Sequence, residues 1–527
     1  MTCSLCGVEA RRADLAEASW LVPEVLENLE RKNPGWKRET GACPACVEET
    51  LLSTLLERCA ASLPRAAPGE WLLDSEAAFG ILPTPLKMQA DPRVTGRGVT
   101  LALVDSGFHP HPDLTQPGNR ILAWADASVD PVRCRFFEPS RTPRWPGSGG
   151  THGSKWHGLM TSAVAAGNGK LSHGLYRGLA SGANLILVQV RRPDGRIGDA
   201  EIARALAWLR REGPALGLRV VNLSVGGDPL RAGEPDRVDL EVTALVDSGV
   251  TVIAASGNDG QRRLVAPASS PAALTIGGLN DRNTFDHEEA ELWHSNFGRV
   301  ADGRGKPELI ASSIWVVAPL LPGTGKSKEA ADLFGRRSEN DPVVEARIAA
   351  QKYISPHYHH VDGTSVAAPL VASVVACMLE ANPALTPALV RRVLTTAARL
   401  VPGAPRERQG AGAVNAGQAV ALARRENQGA QIGMEMSPYV TADGVTFILH
   451  DPDARHVRVF GSWDAWRPPG IPARLIGPGL WRAELPPPAA GRYTYKFQLD
   501  QTRWLADPDN PKKEPDGAGG LNSIVIV

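Results

Sequence analysis

Between residues 99 and 255 the chain carries four short apolar runs rich in β-branched residues: Val99–Val104, Leu185–Val190, Val220–Val225 and Val250–Ala255. Between them, Ile202–Arg211 and Leu240–Asp247 place apolar residues at helical spacing. Apolar strands alternating with amphipathic helices predict a parallel sheet covered on both faces, an α/β doubly wound domain. Functional residues of such a sheet collect at the carboxyl ends of its strands. Asp105 follows the first run, and Asn258 lies in the loop after the fourth. A further apolar run, Val366–Leu379, contains Pro369 and reads as a buried helix too short to span a bilayer. Gly363 and Thr364 deliver Ser365 to its N-terminus, where backbone N–H groups are unpaired and the helix dipole is positive. A serine there can attack a carbonyl while the oxyanion meets N–H donors. At this point a small-residue helix start that simply packs well is an equal alternative.

The pattern changes at both ends. Residues 1–66 hold two Cys-x-x-Cys pairs, Cys3/Cys6 and Cys43/Cys46, with helical spacing over Leu15–Arg31 and Val47–Leu63. Two such knuckles can supply four thiolates to one tetrahedral, structural zinc with no position left for water. Spare thiols or a redox pair are the alternative, because the separation exceeds the common one. The Pro-rich stretch 67–91 reads as a linker, and 426–437 as a second one. Residues 438–527 alternate strand-like runs with turns (Val445–His450, His456–Gly461, Leu480–Leu485, Arg492–Leu499, Asn522–Val527), the pattern of a small Ig-like β-sandwich.

Composition narrows the function classes. Lys+Arg and Asp+Glu are both 57, so nothing draws the whole molecule to nucleic acid or an anionic membrane. The beginning of the sequence shows no basic region followed by an apolar one, and the seven cysteines do not form a disulfide-type framework, so a cytoplasmic location is expected. A nucleic-acid role for the zinc-knuckle unit lacks a basic stripe.

Asp105, His157 and Ser365 stand in one of the three unrelated chain orders of the Ser-His-Asp triad. Five blocks then carry a resemblance: Val104-Asp105-Ser106-Gly107 with His111-Pro112-Asp113-Leu114, the segment from His157 to Gly169, Asn222-Leu223-Ser224-Val225-Gly226-Gly227, Ala255-Ser256-Gly257-Asn258-Asp259-Gly260, and Gly363 to Pro369. With them, residues 92–425 resemble a subtilisin-like serine peptidase (subtilase). The resemblance implies Ser365 as nucleophile, His157 as general base, Asp105 as its orienting carboxylate and Asn258 as an oxyanion donor. It implies a specificity pocket between Ser224, Val225 and Gly226 on one side and Gly257 on the other. Val265 would stand at the far end of that pocket and favour cleavage after small residues.

The family's usual His-Gly-Thr-His becomes His157-Gly158-Leu159-Met160, and its Gly-Thr-Ser-Met-Ala-Ser-Pro becomes Gly363-Thr364-Ser365-Val366-Ala367-Ala368-Pro369, without loss of a catalytic group. His152 is a rival histidine, set aside because the Ala/Val-rich helix follows His157 directly. Calcium, which many family members bind near positions matching Asp113 and the Asn168–Gly178 loop, is not expected because that loop is altered. No stretch resembles the inhibitory propeptide. An insertion of mixed charge, about 320–360, contains Gly323-Thr324-Gly325-Lys326-Ser327, which lacks the first glycine of a phosphate loop because position 320 is Leu320. His357, His359 and His360 read as a solvated loop rather than a metal site. Residues 438–527 resemble the glycogen-binding domain of AMP-activated kinase β subunits. The matching residues are Val459 to Trp466, Tyr495-Lys496-Phe497, Trp504 to Pro508, and Asn522-Ser523-Ile524. The resemblance implies that Trp466 and Trp504 stack on sugar rings while Lys496 and Asn522 bond hydroxyls; a structural or protein-binding attachment is the alternative.

The reading is a cytoplasmic serine endopeptidase acting through an acyl-enzyme on protein or peptide substrates, with a structural zinc and an α-glucan or protein partner at its C-terminal domain. An inactive peptidase-fold scaffold or glycan adaptor is the rival.

Overall fold

The computed structural model describes residues 2–7, 29–37, 40, 42, 46 and 50 of the first 80. Beyond them it describes 81–138, 152–228, 236–283, 289–300, 304–336, 341–426 and 437–527, apart from 173, 442–443, 452, 478, 509 and 511. The chain divides into two compact bodies, Met1–Gln428 and Gly429–Val527.

In the first body the elements that position the site are β1 (Thr100–Asp105), β2 (Ile121–Asp126), β3 (Arg133–Phe136), helix α1 (His152–Ala166), β4 (Asn184–Gln189), α2 (Asp199–Glu212), β5 (Leu218–Leu223), α3 (Arg237–Asp247) and β6 (Thr251–Ala255). They continue with β7 (Leu274–Asn280), β8 (Leu309–Ser312), β9 (Val316–Pro319), α4 (Gly325–Arg336), α5 (Pro342–Ala350), β10 (Tyr358–Val361), α6 (Thr364–Ala381) and α7 (Ala416–Glu426). The sheet order is β8-β7-β6-β5-β1-β4-β2-β3, with the short strand Glu291–Leu292 beside β7. From β8 through β2 the pairs are parallel, and β3 runs antiparallel to β2. This is the doubly wound sheet expected from the apolar runs. β1, buried along its whole length, lies between β4 and β5, so Asp105 sits where the strand order reverses and a crevice opens.

Each face of the sheet is covered. Leu206, Trp208, Val242 and Leu245 of α2 and α3 join Val104, Ile186, Val221 and Val252 in one apolar core. On the other face α6 packs against α1 and the central strands. α6 is long and apolar enough to cross a bilayer by composition, but every residue from Val366 to Leu379 is buried inside the body. Burial on this scale is the main favourable term holding the sheet and helix together.

The linker reading of 67–91 needs correction where the chain is described. Ile81, Leu82, Leu86 and Met88 are buried around the one-turn helix Thr84–Lys87. Lys87 is fully buried; its Nζ donates to Asp281 Oδ1 at 3.2 Å and to the Trp315 carbonyl at 2.9 Å. Ser312 Oγ donates to the other carboxylate oxygen at 2.5 Å. Burial pushes the Lys87 amine below its ordinary pKa, and Asp281 works against that shift. The prolines suggested a connector, yet the apolar residues among them dock on the sheet. At the other end Arg424 of α7 reaches Asp91 at 2.6 Å, and Asn382 donates to the Ala423 carbonyl at 3.0 Å.

The insertion also departs from expectation. β9 and β10 pair antiparallel as a hairpin, and the chain between them folds into α4 and α5 around Leu320, Ala330, Leu333, Val344, Ile348 and Tyr353. His359 lies on β10 at 7% exposure, so the solvated-loop reading fails for it. Tyr358 and Val361 of the same strand are buried with it, because the hairpin is covered by its surroundings rather than exposed to solvent.

The second body is a pair of antiparallel sheets. One orders Tyr439–Thr441, Gly444–His450, Leu480–Leu485 and Arg474–Gly477. The other orders Ile471–Pro472, Val457–Gly461, Arg492–Leu499, Leu521–Ile526 and Lys513–Pro515, with Arg503–Leu505 beside Arg492–Leu499. Phe447, Trp481, Tyr495 and Phe497 fill the core between them.

Candidate active site

Asp105 ends β1 with no solvent exposure. One oxygen, Oδ1, accepts from the Ser106 N–H at 2.6 Å and lies 2.7 Å from His157 Nδ1. The other, Oδ2, accepts from Thr161 Oγ1 at 2.9 Å. Both oxygens are thus held, and a carboxylate so anchored fixes the tautomer of the imidazole facing it. Thr161 was not anticipated. Its signal was its position four residues after His157, on the same helix face.

α1 starts at His152, five residues before the expected opening, so His157 stands in its second turn. The helix comes very near β1: a Cβ at Gly158 would lie 1.9 Å from the Gly107 carbonyl oxygen. Only glycine permits that approach, and the approach is what brings His157 to Asp105. Burial works against charge on His157. The Asp105 carboxylate and its hydrogen bond outweigh it, leaving the imidazole pKa above its ordinary value.

Ser365 is half-buried in the first turn of α6. Gly363, at φ 129°, turns the backbone into that helix in a region side-chain-bearing residues avoid. Ser224 Oγ, beyond the end of β5, donates to the Ser365 carbonyl at 3.1 Å and so anchors the backbone of the candidate nucleophile. Asn258 Oδ1 accepts from the Thr364 N–H at 2.9 Å and from Thr364 Oγ1 at 2.7 Å. A backbone N–H can only donate, so the amide oxygen must face Thr364 and Nδ2 is left as the outward donor. Asn296 Oδ1 braces the Asn258 loop by accepting from Asp259 N at 2.9 Å and Gln261 N at 3.1 Å. The structure therefore joins Asp105 to His157 directly, ties the Ser365 carbonyl to Ser224, and ties the preceding residue, Thr364, to Asn258. Among the described residues Ser365 Oγ makes no hydrogen bond to the imidazole.

A Cβ at Gly226 would meet Val265 Cγ2 at 3.3 Å, so the valine side chain faces the 224–227 segment. The Gly227 N–H donates to the Ala266 carbonyl at 2.8 Å, fastening the two segments together. Val225 is half-buried and Gly257 has a φ of 101°. Asp113 is buried; its carboxylate accepts from Tyr358 Oη at 2.8 Å and Leu171 N at 3.3 Å. The Arg120 guanidinium bonds the carbonyls of Asp113, Ala166 and Ala183 beside it.

A family model described as "Subtilase family" matches residues 96–412. The chain belongs to the subtilase family. This subtilase is 29% identical over 335 residues to "Serine protease AprX" of Bacillus subtilis, covering 62% of this chain and 67% of that protein. It is 27% identical over 380 residues to an "Extracellular protease" of Xanthomonas campestris, covering 68% of this chain and 57% of that one. To "Subtilisin BL" of Lederbergia lenta it is 30% identical over 191 residues, covering 36% and 59%. The chain thus spans about two thirds or less of the length of these relatives. A solved protease structure from Pseudoalteromonas arctica is similar with a TM-score of 0.45 and 22% identity, covering 65% of this subtilase and 94% of that chain.

Outside the site, Cys3, Cys6 and Cys46 bring their sulfurs within 4.8 Å of one another. Cys43 lies outside the described residues. In the second body Trp504 is 46% exposed and lies against Phe460 at 5.1 Å between ring centroids. Trp466 and Asn522 are half-buried, and Lys496 is ion-paired with Asp516.

Proposed function

We propose that the chain is a serine endopeptidase. The observation that carries the reading is the fully buried Asp105, doubly anchored, 2.7 Å from His157. Ser365 Oγ attacks the scissile carbonyl and passes its proton to His157 Nε2, whose Nδ1–H is held by Asp105. The oxyanion is received by Asn258 Nδ2 and the Ser365 N–H. His157 then gives the proton to the leaving amine, and water resolves the acyl-enzyme by the same relay. A fluorophosphonate probe should label the wild-type protein at Ser365 and leave Ser365→Ala unlabelled. Absence of labelling in both would favour the rival reading of a scaffold built on an inactive peptidase fold.

The facing of Val265 toward Gly226 supports cleavage after Ala, Ser or Thr rather than after large residues. Overpacking a pocket typically costs about 1–3 kcal/mol, roughly tenfold or more in selectivity. In a peptide library Val265→Gly should widen the preference to large residues; a wild type that already prefers Phe or Tyr would remove valine from the pocket.

The N-terminal thiols support a structural zinc held by Cys3, Cys6, Cys43 and Cys46. Around a zinc with Zn–S of about 2.3 Å, sulfurs stand roughly 3.8 Å apart, and Cys3 and Cys46 are separated by 4.0 Å. Elemental analysis is expected to find about one zinc per chain, lost in Cys3→Ser with Cys46→Ser. Zinc retained by that double variant contradicts the site. Such thiolates suit a reducing compartment, and the location we propose is cytoplasmic; secretion of the protein by its host would contradict it. For the C-terminal body the proposal is weak α-glucan binding, supported by the exposed Trp504 with Trp466, Lys496 and Asn522. Retention on glycogen should be lost in Trp466→Ala with Trp504→Ala, and equal retention by that variant would leave a protein-binding or structural module.

A further inference from the structure

The insertion builds a second pocket. Its cavity, about 330 Å³, is lined by Trp156, Lys326, Lys352, His359, His360 and Asp362 among others. Two of these residues tie it to the candidate active site: Trp156 directly precedes His157, and Asp362 lies three residues before Ser365. None of its lining comes from the 224–227 or 255–258 segments, which wall the specificity pocket on the acyl side. His157 returns its proton to the leaving amine, so the chain beyond the scissile bond leaves alongside that histidine. A pocket beside Trp156, whose ring centroid lies 6.4 Å from that of His157, is within reach of that leaving portion.

The chemistry of the lining is cationic and incomplete. His359, 93% buried given its 7% exposure, has Nε2 buried without a hydrogen-bond partner, and His360 Nδ1 is in the same condition. Trp156 stands edge-on to His359 at 5.6 Å between centroids, so one flank of the imidazole is closed. Buried polar atoms are rarely left so unless a ligand or water completes them. Lys352 is paired with Asp362 at 2.9 Å. Lys326, in the first turn of α4, has no ion-pair partner among the described residues, and Glu329 one turn on is already taken by Arg347 at 2.6 Å and Tyr353 at 2.9 Å. Burial, then the nearby Lys326, His360 and Lys352, hold His359 neutral, with its pKa down at about 3. The pocket thus offers an ammonium outside any ion pair among the described residues and neutral imidazoles, each able to donate one N–H in the tautomer protonated toward the cavity, an arrangement that fits a carboxylate.

We propose that this pocket binds an acidic side chain of the substrate on the leaving side of the scissile bond, between Lys326 Nζ and the His359 imidazole. The proposal rests on the endopeptidase reading for its direction, but not for its charge. It gives the insertion a role in selecting substrates: a segment foreign to the catalytic core supplies the cation, and the hairpin it extends supplies the imidazole.

The test uses the full-length protein and internally quenched peptides alike except for Glu, Gln or Lys at one of the first three positions after the cleaved bond. At one position Glu should exceed Gln about tenfold or more in kcat/KM, chiefly through KM, as a hydrogen-bonded charge pair would give. Lys326→Glu should abolish that preference and favour Lys. Lys328→Glu, on the same helix but outside the lining, should leave it intact, and both variants should hydrolyse a p-nitroanilide with no residue beyond the bond as the wild type does. In parallel, Ser365→Ala should bind the Glu peptide more tightly than the Lys peptide. If the p-nitroanilide is hydrolysed but Glu, Gln and Lys are equivalent, the pocket proposal is overturned and the peptidase stands. If no substrate turns over yet the charge-dependent binding persists and reverses in Lys326→Glu with Ser365→Ala, the peptidase reading falls and the pocket remains.

Discussion

Asp105→Asn should lower kcat about ten-thousandfold with little change in KM. An asparagine can still touch His157 Nδ1, but it accepts or donates equally well and carries no charge to stabilise the imidazolium. The pH profile adds a second readout. His157 must be neutral to accept the Ser365 proton, so wild-type kcat/KM should fall as pH drops through the imidazole pKa. The Asp105 charge and hydrogen bond outweigh burial and hold that pKa above about 6.5, its usual value. In Asp105→Asn burial remains while the opposing carboxylate charge is gone, so the residual acid limb should move to lower pH. Stopped or steady-state kinetics between pH 4 and 9 on a small chromogenic substrate would measure both effects. A limb that stays in place, or a variant within tenfold of wild type, would contradict the role assigned to Asp105.

The second large effect is expected at Asn258. Its amide oxygen is committed to Thr364, which leaves its amide nitrogen as the donor we propose for a developing oxyanion. Asn258→Ala should cost about 100- to 1000-fold in kcat, but it also strips Thr364 of its acceptor. Asn258→Asp separates the two consequences: it keeps an oxygen for the Thr364 N–H and hydroxyl while supplying no N–H to the oxyanion. It should lose at least as much kcat while the protein melts at a temperature close to wild type. Activity within tenfold of wild type in the aspartate variant would place the oxyanion donor elsewhere.

The strands that the sequence revealed are those whose apolar residues are continuous and β-branched, as in β1 and β4, because burial on both faces imposes that pattern. β2, with the sequence Ile-Leu-Ala-Trp-Ala-Asp, and β7, interrupted by Gly277 and Gly278, lack it and were not anticipated. Asp105, Asn258 and Ser365 were legible as candidates because each sits at or just beyond an element end with a distinctive neighbourhood, and His157 because the Ala/Val-rich segment follows it directly. Thr161 and the anchoring of Ser365 by Ser224 were not, since both depend on a hydrogen bond between segments distant in sequence or on a helix phase. The insertion misled because mixed charge reads as solvated. Its helix signals were nevertheless present. Asp341 caps α5 by accepting from the Val343 N–H at 2.9 Å, with Pro342 in the first turn, and Thr324 Oγ1 accepts from the Ser327 N–H at 3.2 Å at the start of α4. The stretch that looked like a phosphate loop is that second cap.

The docking of residues 81–88 bears on where the catalytic body begins as a folding unit. The family match starts at residue 96, whereas the Lys87–Asp281 pair lies across that boundary with both partners fully buried. A fragment starting at 96 would remove Lys87 from the buried Asp281 carboxylate, and removing one member of a buried pair typically costs about 3–5 kcal/mol. It would also strip Asp91 from Arg424. At the far end, the match stops at 412, before the helix Ala416–Glu426 that receives Asn382. What is shared with relatives by descent and what must be inherited together to fold are therefore different lengths of chain, and here the second encloses the first.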